Sequence, residues 1–456
     1  MTSLFIFRLD LRLRDNIGLI ECFKNSKNVI VCFIFDPIQI DKSKNPYFSS
    51  NCVQFMVESL KELDNQTGNK LLFFHGDTIK VLEDTIKKLK IDNIYLIKDY
   101  TPFSLKRDKL INDLCEKLNC KCNLFDDLLL NDINFPMKSD NTPYQVYSKY
   151  RDIATEKKVS DPDNFLVKKN NISKIDTKLK YRIEKEKLDD FFEYNKDINV
   201  NGGRKLAKKI LNNITEQKDY DKLRSLCDYK STHLSAYIKF GCVSIREVYY
   251  CFVKGLGKEN GLVKQLYWRE FYYYLLYHFP DTLKKKKGLK NTYEKFPWSK
   301  DKKKFEAWCN GQTGFPIVDA SMINLNKTGY MPNRSRLIVA NFLTKLLRID
   351  WTWGEKYFAQ KLVDYSPSNN LGNWQWVASI GADYQNRIYN PMTQSQKSDP
   401  DCIYIKKWLP VLKDIPSKDI HNWNSKYDKH NVNYSKPIIV YRDEYNLSKK
   451  LFKDNL

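Results

Sequence analysis

The sequence predicts a parallel α/β domain of Rossmann-like type followed by an all-helical domain. Three observations carry this reading. Short apolar runs alternate with amphipathic segments over the first 127 residues. Strand-like runs fade after Gly202, and helical patterns then follow one another. All nine tryptophans fall in that second part, from Trp268 to Trp423.

The strand candidates are 4–7, 29–35, 71–74, 94–97 and 124–125. Their ends are marked by polar turn formers: Asp36-Pro37, His75-Gly76-Asp77, Lys98-Asp99 and Asp126-Asp127. Between them, Val53, Met56, Val57, Leu60 and Leu63 recur at helical spacing, as do Leu105, Leu110, Ile111, Leu114 and Leu118. Continuous apolar strands separated by such helices predict a parallel sheet covered on both faces. No Gly-x-Gly-x-x-Gly follows the first strand, so the usual dinucleotide fingerprint is absent. Residues 1–127 form this domain. Residues 128–200 are polar and Lys-rich and read as a long connector with one or two short helices. Helices are expected over 203–214, 232–240, 244–254, 260–278, 301–309, 315–326, 332–347, 354–363 and 401–408. Residues 201–425 make up the helical domain, and 426–456 a short mixed tail.

The 456 residues are 42% hydrophobic and 29% charged, an ordinary globular balance. Lys+Arg number 77 against 55 Asp+Glu, a formal charge of +22. Such a charge suits nucleic acid or an acidic membrane surface, although a chain rich in Lys, Asn, Ile and Tyr also reflects an AT-rich genome. No run approaches the ~20 apolar residues of a membrane helix. The first residues are too soon charged for a signal peptide. A soluble, intracellular protein is expected. The 11 cysteines are scattered; the closest set, Cys115, Cys120 and Cys122, has no neighbouring His or second Cys pair for zinc. With only five His, no His-built metal centre is expected.

Four constellations carry chemistry. Ser231-Thr232-His233-Leu234-Ser235 sets hydroxyls at a helix start, which serves a phosphate or simply caps the helix. Gln265, Trp268 and Arg269 share one helix face, followed by Tyr272. They line a pocket for a planar heterocycle or edge an aromatic core stripe. Met331-Pro332-Asn333-Arg334-Ser335-Arg336 begins a helix with Asn333 as its N-cap. Of Arg334 and Arg336 at least one is expected to face solvent or a phosphate. Asp364-Tyr365-Ser366 through Asn370 to Trp374-Gln375-Trp376 reads as a polar loop between two helices.

Together these segments resemble the photolyase/cryptochrome family of flavoproteins, closest to class I cyclobutane pyrimidine dimer photolyases. The likeness runs from about residue 3 to 424. It opens with Phe7-Arg8-Leu9-Asp10-Leu11-Arg12-Leu13-Arg14-Asp15-Asn16. It is densest at Trp268-Arg269-Glu270-Phe271, Thr313-Gly314-Phe315-Pro316-Ile317-Val318-Asp319-Ala320, Asp350-Trp351, Asn373-Trp374-Gln375-Trp376 and Trp408-Leu409-Pro410. The resemblance implies an antenna domain, a connector and a helical domain holding a U-shaped FAD. It places Tyr220, Arg224 and Ser231 to Ser235 at the FAD phosphates and ribityl chain. Gln265, Trp268, Arg269, Tyr272 and Asn333 then line the flavin and substrate pocket. Asp364, Tyr365 and Ser366 lie in the flavin loop, and Asn370 opposite flavin N5. Trp374, Trp351 and Trp298 match an electron-transfer chain running outward from the flavin. Trp268, Trp376 and Met331 match the lesion-pocket walls, and Asn333, Arg334 and Arg336 the DNA side. The partner implied is UV-damaged DNA, bound by a monomer. The antenna chromophore is open between methenyltetrahydrofolate and a deazaflavin.

The chain also departs from the pattern. Gln265 stands where class I enzymes carry Glu, and Gln there is typical of (6-4) photolyases and animal cryptochromes. Yet (6-4) repair uses paired His on the segment matching 331–336, where this chain has Pro332-Asn333. Ser366 replaces a second Asp. DASH cryptochromes share the Asn373-Trp374 context but differ at Gln375-Trp376 and Arg336-Leu337. The expected activity is light-driven splitting of cyclobutane dimers on a flipped-out lesion. A cryptochrome-like photoreceptor and a (6-4) photolyase are the alternatives.

Overall fold

The computed structural model describes every residue except 285–287, 290–295, 383, 385 and 456, and leaves out the side chains of 283 and 284. Five parallel strands come first: β1 (Thr2–Phe7), β2 (Asn28–Phe35), β3 (Leu72–His75), β4 (Asn93–Ile97) and β5 (Lys121–Phe125). All five expected runs are strands. A sixth, β6 (Arg182–Ile183), adds antiparallel to β3, giving the order β5-β4-β1-β2-β3-β6. β6 comes from the connector. Two residues of mixed polarity carry no period-2 signal, so the sequence did not mark it.

Alternation along the strands divides the core. Leu4, Ile6, Ile30 and Cys32 pack with Val81, Ile86, Ile111 and Leu114 on one face. Phe5, Phe7, Val31 and Phe33 pack on the other, in a cluster that continues into Phe240 and Phe271 of the helical domain. The helix Ser50–Thr67 buries Val53, Val57, Leu60 and Leu63, as its spacing predicts. The helix Pro102–Lys117 is rotated from the expected face. Leu105 and Leu110 are exposed, while Ser104, Asp108, Ile111, Leu114 and Cys115 are buried. Asp108 turns inward because the Arg8 guanidinium, 2.7 Å away, pairs with it.

The connector contributes the helix Tyr147–Ala154. Beyond it the expected helices form, with shifted ends. They include Ile245–Leu256, Gly261–His278, Pro316–Thr328, Asn333–Asn341 and Trp351–Lys361. Two sequence readings are corrected. The polar segment after Asp364 is not a loop: Pro367–Ala378 is a helix. Pro sits comfortably in its first turn, and Leu371, Trp374, Val377 and Ala378 bury one face, which outweighs the low propensity of Ser, Asn and Gly. The last segment holds the helix Tyr441–Asp454, anchored by the fully buried Phe452 and by a pair between Arg348 and Glu444. All 11 cysteines are free thiols, eight of them buried. No described helix is long and apolar enough to cross a membrane.

The Asp10–Asn16 part of the opening motif joins β1 to the first helix and docks on the helical domain through Leu11 N to the Phe240 carbonyl at 3.0 Å. Asn16 caps the helix Ile17–Lys24. Arg12 pairs with Asp127, both side chains essentially buried. Asp127 also meets Arg246, 2.6 Å away, which bonds Asp15 at 3.1 Å. Removing one member strands the rest in low dielectric. Asp127→Ala should cost about 3–5 kcal/mol of stability by urea unfolding. Lys61→Ala, which breaks an exposed pair with Asp189, should change it by no more than about 1 kcal/mol.

Candidate flavin and DNA site

Asp364, just before the helix Pro367–Ala378, organises a cleft. Ser235 Oγ donates to its Oδ2 at 2.7 Å, and the Arg336 guanidinium reaches both oxygens at 3.0 and 3.2 Å. Burial alone would raise the Asp364 carboxyl. The Arg336 charge and the Ser235 hydroxyl outweigh it and hold the group below its usual range. Arg336 also donates to the Met331 carbonyl at 2.8 Å and lies over the Tyr330 ring. It is therefore built into the cleft, and neither it nor Arg334 is fully exposed. Arg334 donates to Ser225 Oγ at 3.1 Å. Both arginines are half-buried, each retaining some exposure to solvent. Asn333 is exposed and begins its helix, with Pro332, not Asn333, in the cap position.

The cleft is lined by Asn333, Arg336, Asp364, Ser366, Asn370 and Trp374. Its polar rim faces apolar Leu337, Phe358 and Leu362. Asn370 donates to both the backbone carbonyl and the carboxylate of Glu355, each at 2.9 Å. Glu355 is buried, and nothing in the sequence marks it, because a Glu in a helix reads as a solvated face. Trp374 packs so closely on the helix Trp351–Lys361 that a Cβ on Gly354 would sit 2.2 Å from its ring. Ser366 contacts Tyr273 through their hydroxyls at 3.3 Å.

The Ser231–Ser235 segment turns through His233 in the left-handed region, and its helix, Ser235–Lys239, starts later than expected. Asn199 donates to His233 Nδ1 at 2.8 Å, and the ring meets Tyr330. Burial lowers the His233 pKa and so favours the neutral imidazole. The Thr232 hydroxyl accepts from Leu234 N at 3.4 Å; Ser231 is half-buried beside it. Arg224 stands over the Tyr220 ring.

The helix Gly261–His278 carries the next group of expected site residues, none of which lines the cleft itself. Its Gln265 is half-buried, and its side-chain amide makes no hydrogen bond among the described residues. Arg269 is spoken for: it donates to the Leu128 carbonyl at 2.8 Å and covers Tyr273. Trp268 has one face covered by Tyr147 of the connector, 3.5 Å away and near parallel. Tyr147 was not foreseen, since it lies in a segment read as linker. Tyr272 reaches Asn373 at 3.3 Å and packs so closely that only Gly372 fits opposite. This contact brings the Trp268 and Trp376 helices side by side. Met331 is fully buried. Trp351 is buried and in no ring contact among the described residues, and Trp298 packs on Phe296 and Phe452.

A second cavity, ≈ 560 Å³, opens at the C-terminal ends of β1, β2 and β4. There the strand order switches direction about β1, the usual place for a ligand on such sheets. Arg8, Lys44, Asp99, Arg107 and Lys239 line it with Phe33, Tyr47 and Phe103. Asp99 Oδ2 accepts from Ser104, but its buried Oδ1 has no partner. Tyr365 and Ser366 line both this cavity and the cleft.

Residues 3–165 match the family described as DNA photolyase, and 262–454 the FAD binding domain of DNA photolyase. A deoxyribodipyrimidine photo-lyase of Synechococcus sp. is 31% identical over 91% of this chain and 89% of its own. The chain belongs to the photolyase/cryptochrome family. A cryptochrome DASH of Synechocystis sp. is also 31% identical, over 92% of this chain and 90% of that protein. The crystal structure of an archaeal photolyase from Sulfolobus tokodaii with two FAD molecules superposes with a TM-score of 0.89 at 36% identity, covering all of both chains.

The donor set suits FAD: a carboxylate and amides for the polar ring edge, apolar walls for its faces, and an arginine. Asp364→Asn removes the charge that Arg336 pairs with. It should cost about 1.5–3 kcal/mol, read by urea unfolding of the FAD-free protein, and lower FAD retention in parallel. Ser235→Ala should cost no more than about 1.5 kcal/mol.

Proposed function

We propose that this photolyase-family protein repairs cyclobutane pyrimidine dimers in UV-damaged DNA under blue light. The observation that carries the reading is that the helix Pro367–Ala378, which lines the flavin-type cleft and bears Trp376, packs against the helix bearing Trp268. The chemistry FAD supplies when bound is light-driven donation of one electron to the dimer and its recovery after ring opening. The chain's own residues do the rest. Asp364, Arg336 and Ser235 fix the cleft, and Glu355 fixes the Asn370 amide beside it. Tyr147 braces Trp268, whose half-buried indole stacks on flipped-out bases. The unpartnered Gln265 amide is free to donate to a pyrimidine carbonyl. The +22 charge steers DNA through its phosphates.

Cyclobutane splitting needs no strong acid, whereas the (6-4) product needs a proton delivered during repair. Neither Pro332 nor Asn333 carries one. Defined oligonucleotides bearing each lesion, illuminated with the reduced holoenzyme, test this. Dimer repair without (6-4) repair is expected, and Gln265→Glu should keep or modestly raise it, since one hydrogen bond contributes about 0.5–1.5 kcal/mol. The reverse lesion preference would overturn the proposal. Repair of neither would place the protein among photoreceptors.

We also infer that the ≈ 560 Å³ cavity holds an antenna chromophore. Its aromatic walls suit a planar ring of flavin or deazaflavin type, its cations an anionic tail, and Asp99 Oδ1 awaits a donor. Equilibrium dialysis with FAD, a deazaflavin and methenyltetrahydrofolate should show a second site. Asp99→Ala should weaken it about tenfold, the value of one charge-assisted hydrogen bond. Preference for the folate, or binding unchanged by Asp99→Ala, would refute the assignment.

A further inference from the structure

Trp374 is the indole that lines the flavin cleft. The resemblance to known photolyases leads outward from it to Trp351, yet its ring contacts run elsewhere. Trp374 meets Phe358 at 5.0 Å and Trp308 at 6.3 Å between centroids, both edge-to-face. Trp308 is fully buried, stacks near-parallel on Phe305 at 5.8 Å, and Phe305 meets Trp353 at 5.2 Å. Trp353 is half-buried and borders solvent. An unbroken aromatic path therefore joins the cleft to the surface, through residues outside the sequence motifs.

We propose that Trp308 and Trp353 form a second electron-supply branch, in which Trp308 refills Trp374 and Trp353 refills Trp308 across the Phe305 ring. This rests on the reading of Trp374 as the residue that reduces the flavin. The balance is simple. Trp374 loses one electron to photoexcited, oxidised FAD and becomes a cation radical. Trp308 gives it an electron, and Trp353 gives one to Trp308. The hole now sits on Trp353, whose indole N–H proton passes to water. An external thiol then returns an electron and a proton, and is itself oxidised towards disulfide.

The path has a rival exit at Tyr357, whose ring is 5.8 Å from Trp308. Two features close it. A phenol must lose its proton as it is oxidised, and Tyr357 donates that proton to the amide oxygen of Asn326 at 2.6 Å, a very weak base. The Lys361 ammonium also stands 5.4 Å over the ring and opposes positive charge there. Trp353 meets neither obstacle. Trp308 keeps its own N–H on the buried Val339 carbonyl at 3.0 Å, where no water can take the proton, so the hole moves on rather than resting there.

The test follows photoreduction of FAD-loaded protein with dithiothreitol as the thiol, together with electron paramagnetic resonance of the tryptophan radical in protein carrying deuterated Trp. Flavin content and melting temperature verify that each variant is folded. Trp351→Phe should still photoreduce, at one-tenth of the wild-type rate or faster, with its radical on Trp353. Adding Trp353→Phe, a half-buried change that leaves the core intact, should lower that residual rate at least tenfold. Adding Trp308→Phe should do the same. A Trp351→Phe protein that no longer photoreduces, or one whose residual rate survives Trp353→Phe, overturns the branch. The underlying reading is tested separately by Trp374→Phe. If that variant photoreduces as fast as wild type, Trp374 is not the inner donor and both branches fall.

Discussion

The whole arrangement depends on one buried charge cluster. Arg12 and Asp127 belong to the sheet domain, Arg246 and Ser244 to the helical domain, and Asp15 to the turn between β1 and its helix. Both guanidiniums bind carboxylate and backbone carbonyl groups, including the Asp15 carbonyl at 2.7 and 2.9 Å. No charge is left unpaired, so the desolvation cost is met by hydrogen bonds on every side. The cluster tolerates little shear, because the pairs are short and directional. It thereby fixes the edge of the sheet against the helices, and the cavity between them takes its shape from that docking.

A second lock acts on the substrate side. Glu270 is buried in the helix Gly261–His278 and accepts from Leu130 N, Asn131 N and Nδ2, and the Tyr150 hydroxyl. Burial raises its pKa, and those four donors work against the shift. The polar connector is thus not a loose tether. It is pinned to the one helix whose outer face carries Gln265 and Trp268, and Tyr147 completes the stack. Cleft and cavity then meet at Tyr365 and Ser366, which line both.

Much of this was legible. The five parallel strands announced themselves by apolar runs closed by Asp, Gly and Pro. Periodicity marked most helices, and ordered Trp, Arg and Asn motifs marked the family. Asp364, Asn370 and Trp374 lie on one cleft, as their spacing within a single segment allowed. The helix Pro367–Ala378 escaped notice because Ser, Asn and Gly are turn formers by local preference. Its helicity comes from burying Leu371, Trp374 and Val377, which local preference cannot register. Leu105 and Leu110 were assigned to the wrong face for the same reason: Arg8, a hundred residues away, draws Asp108 inward.

The sequence by itself determined the five parallel strands, most of the helices, the basic character and the chemistry available to the cleft, since each is a property of local pattern or residue type. Only the tertiary structure decided partners. Arg336 binds Asp364 rather than lying open, Glu355 holds Asn370, Tyr147 covers Trp268, and Trp374 meets Trp308. Each is a contact between segments distant in the chain or on different helices. Such contacts depend on how the elements dock, and docking is set by packing and buried charge, which leave no periodic trace in the order of residues.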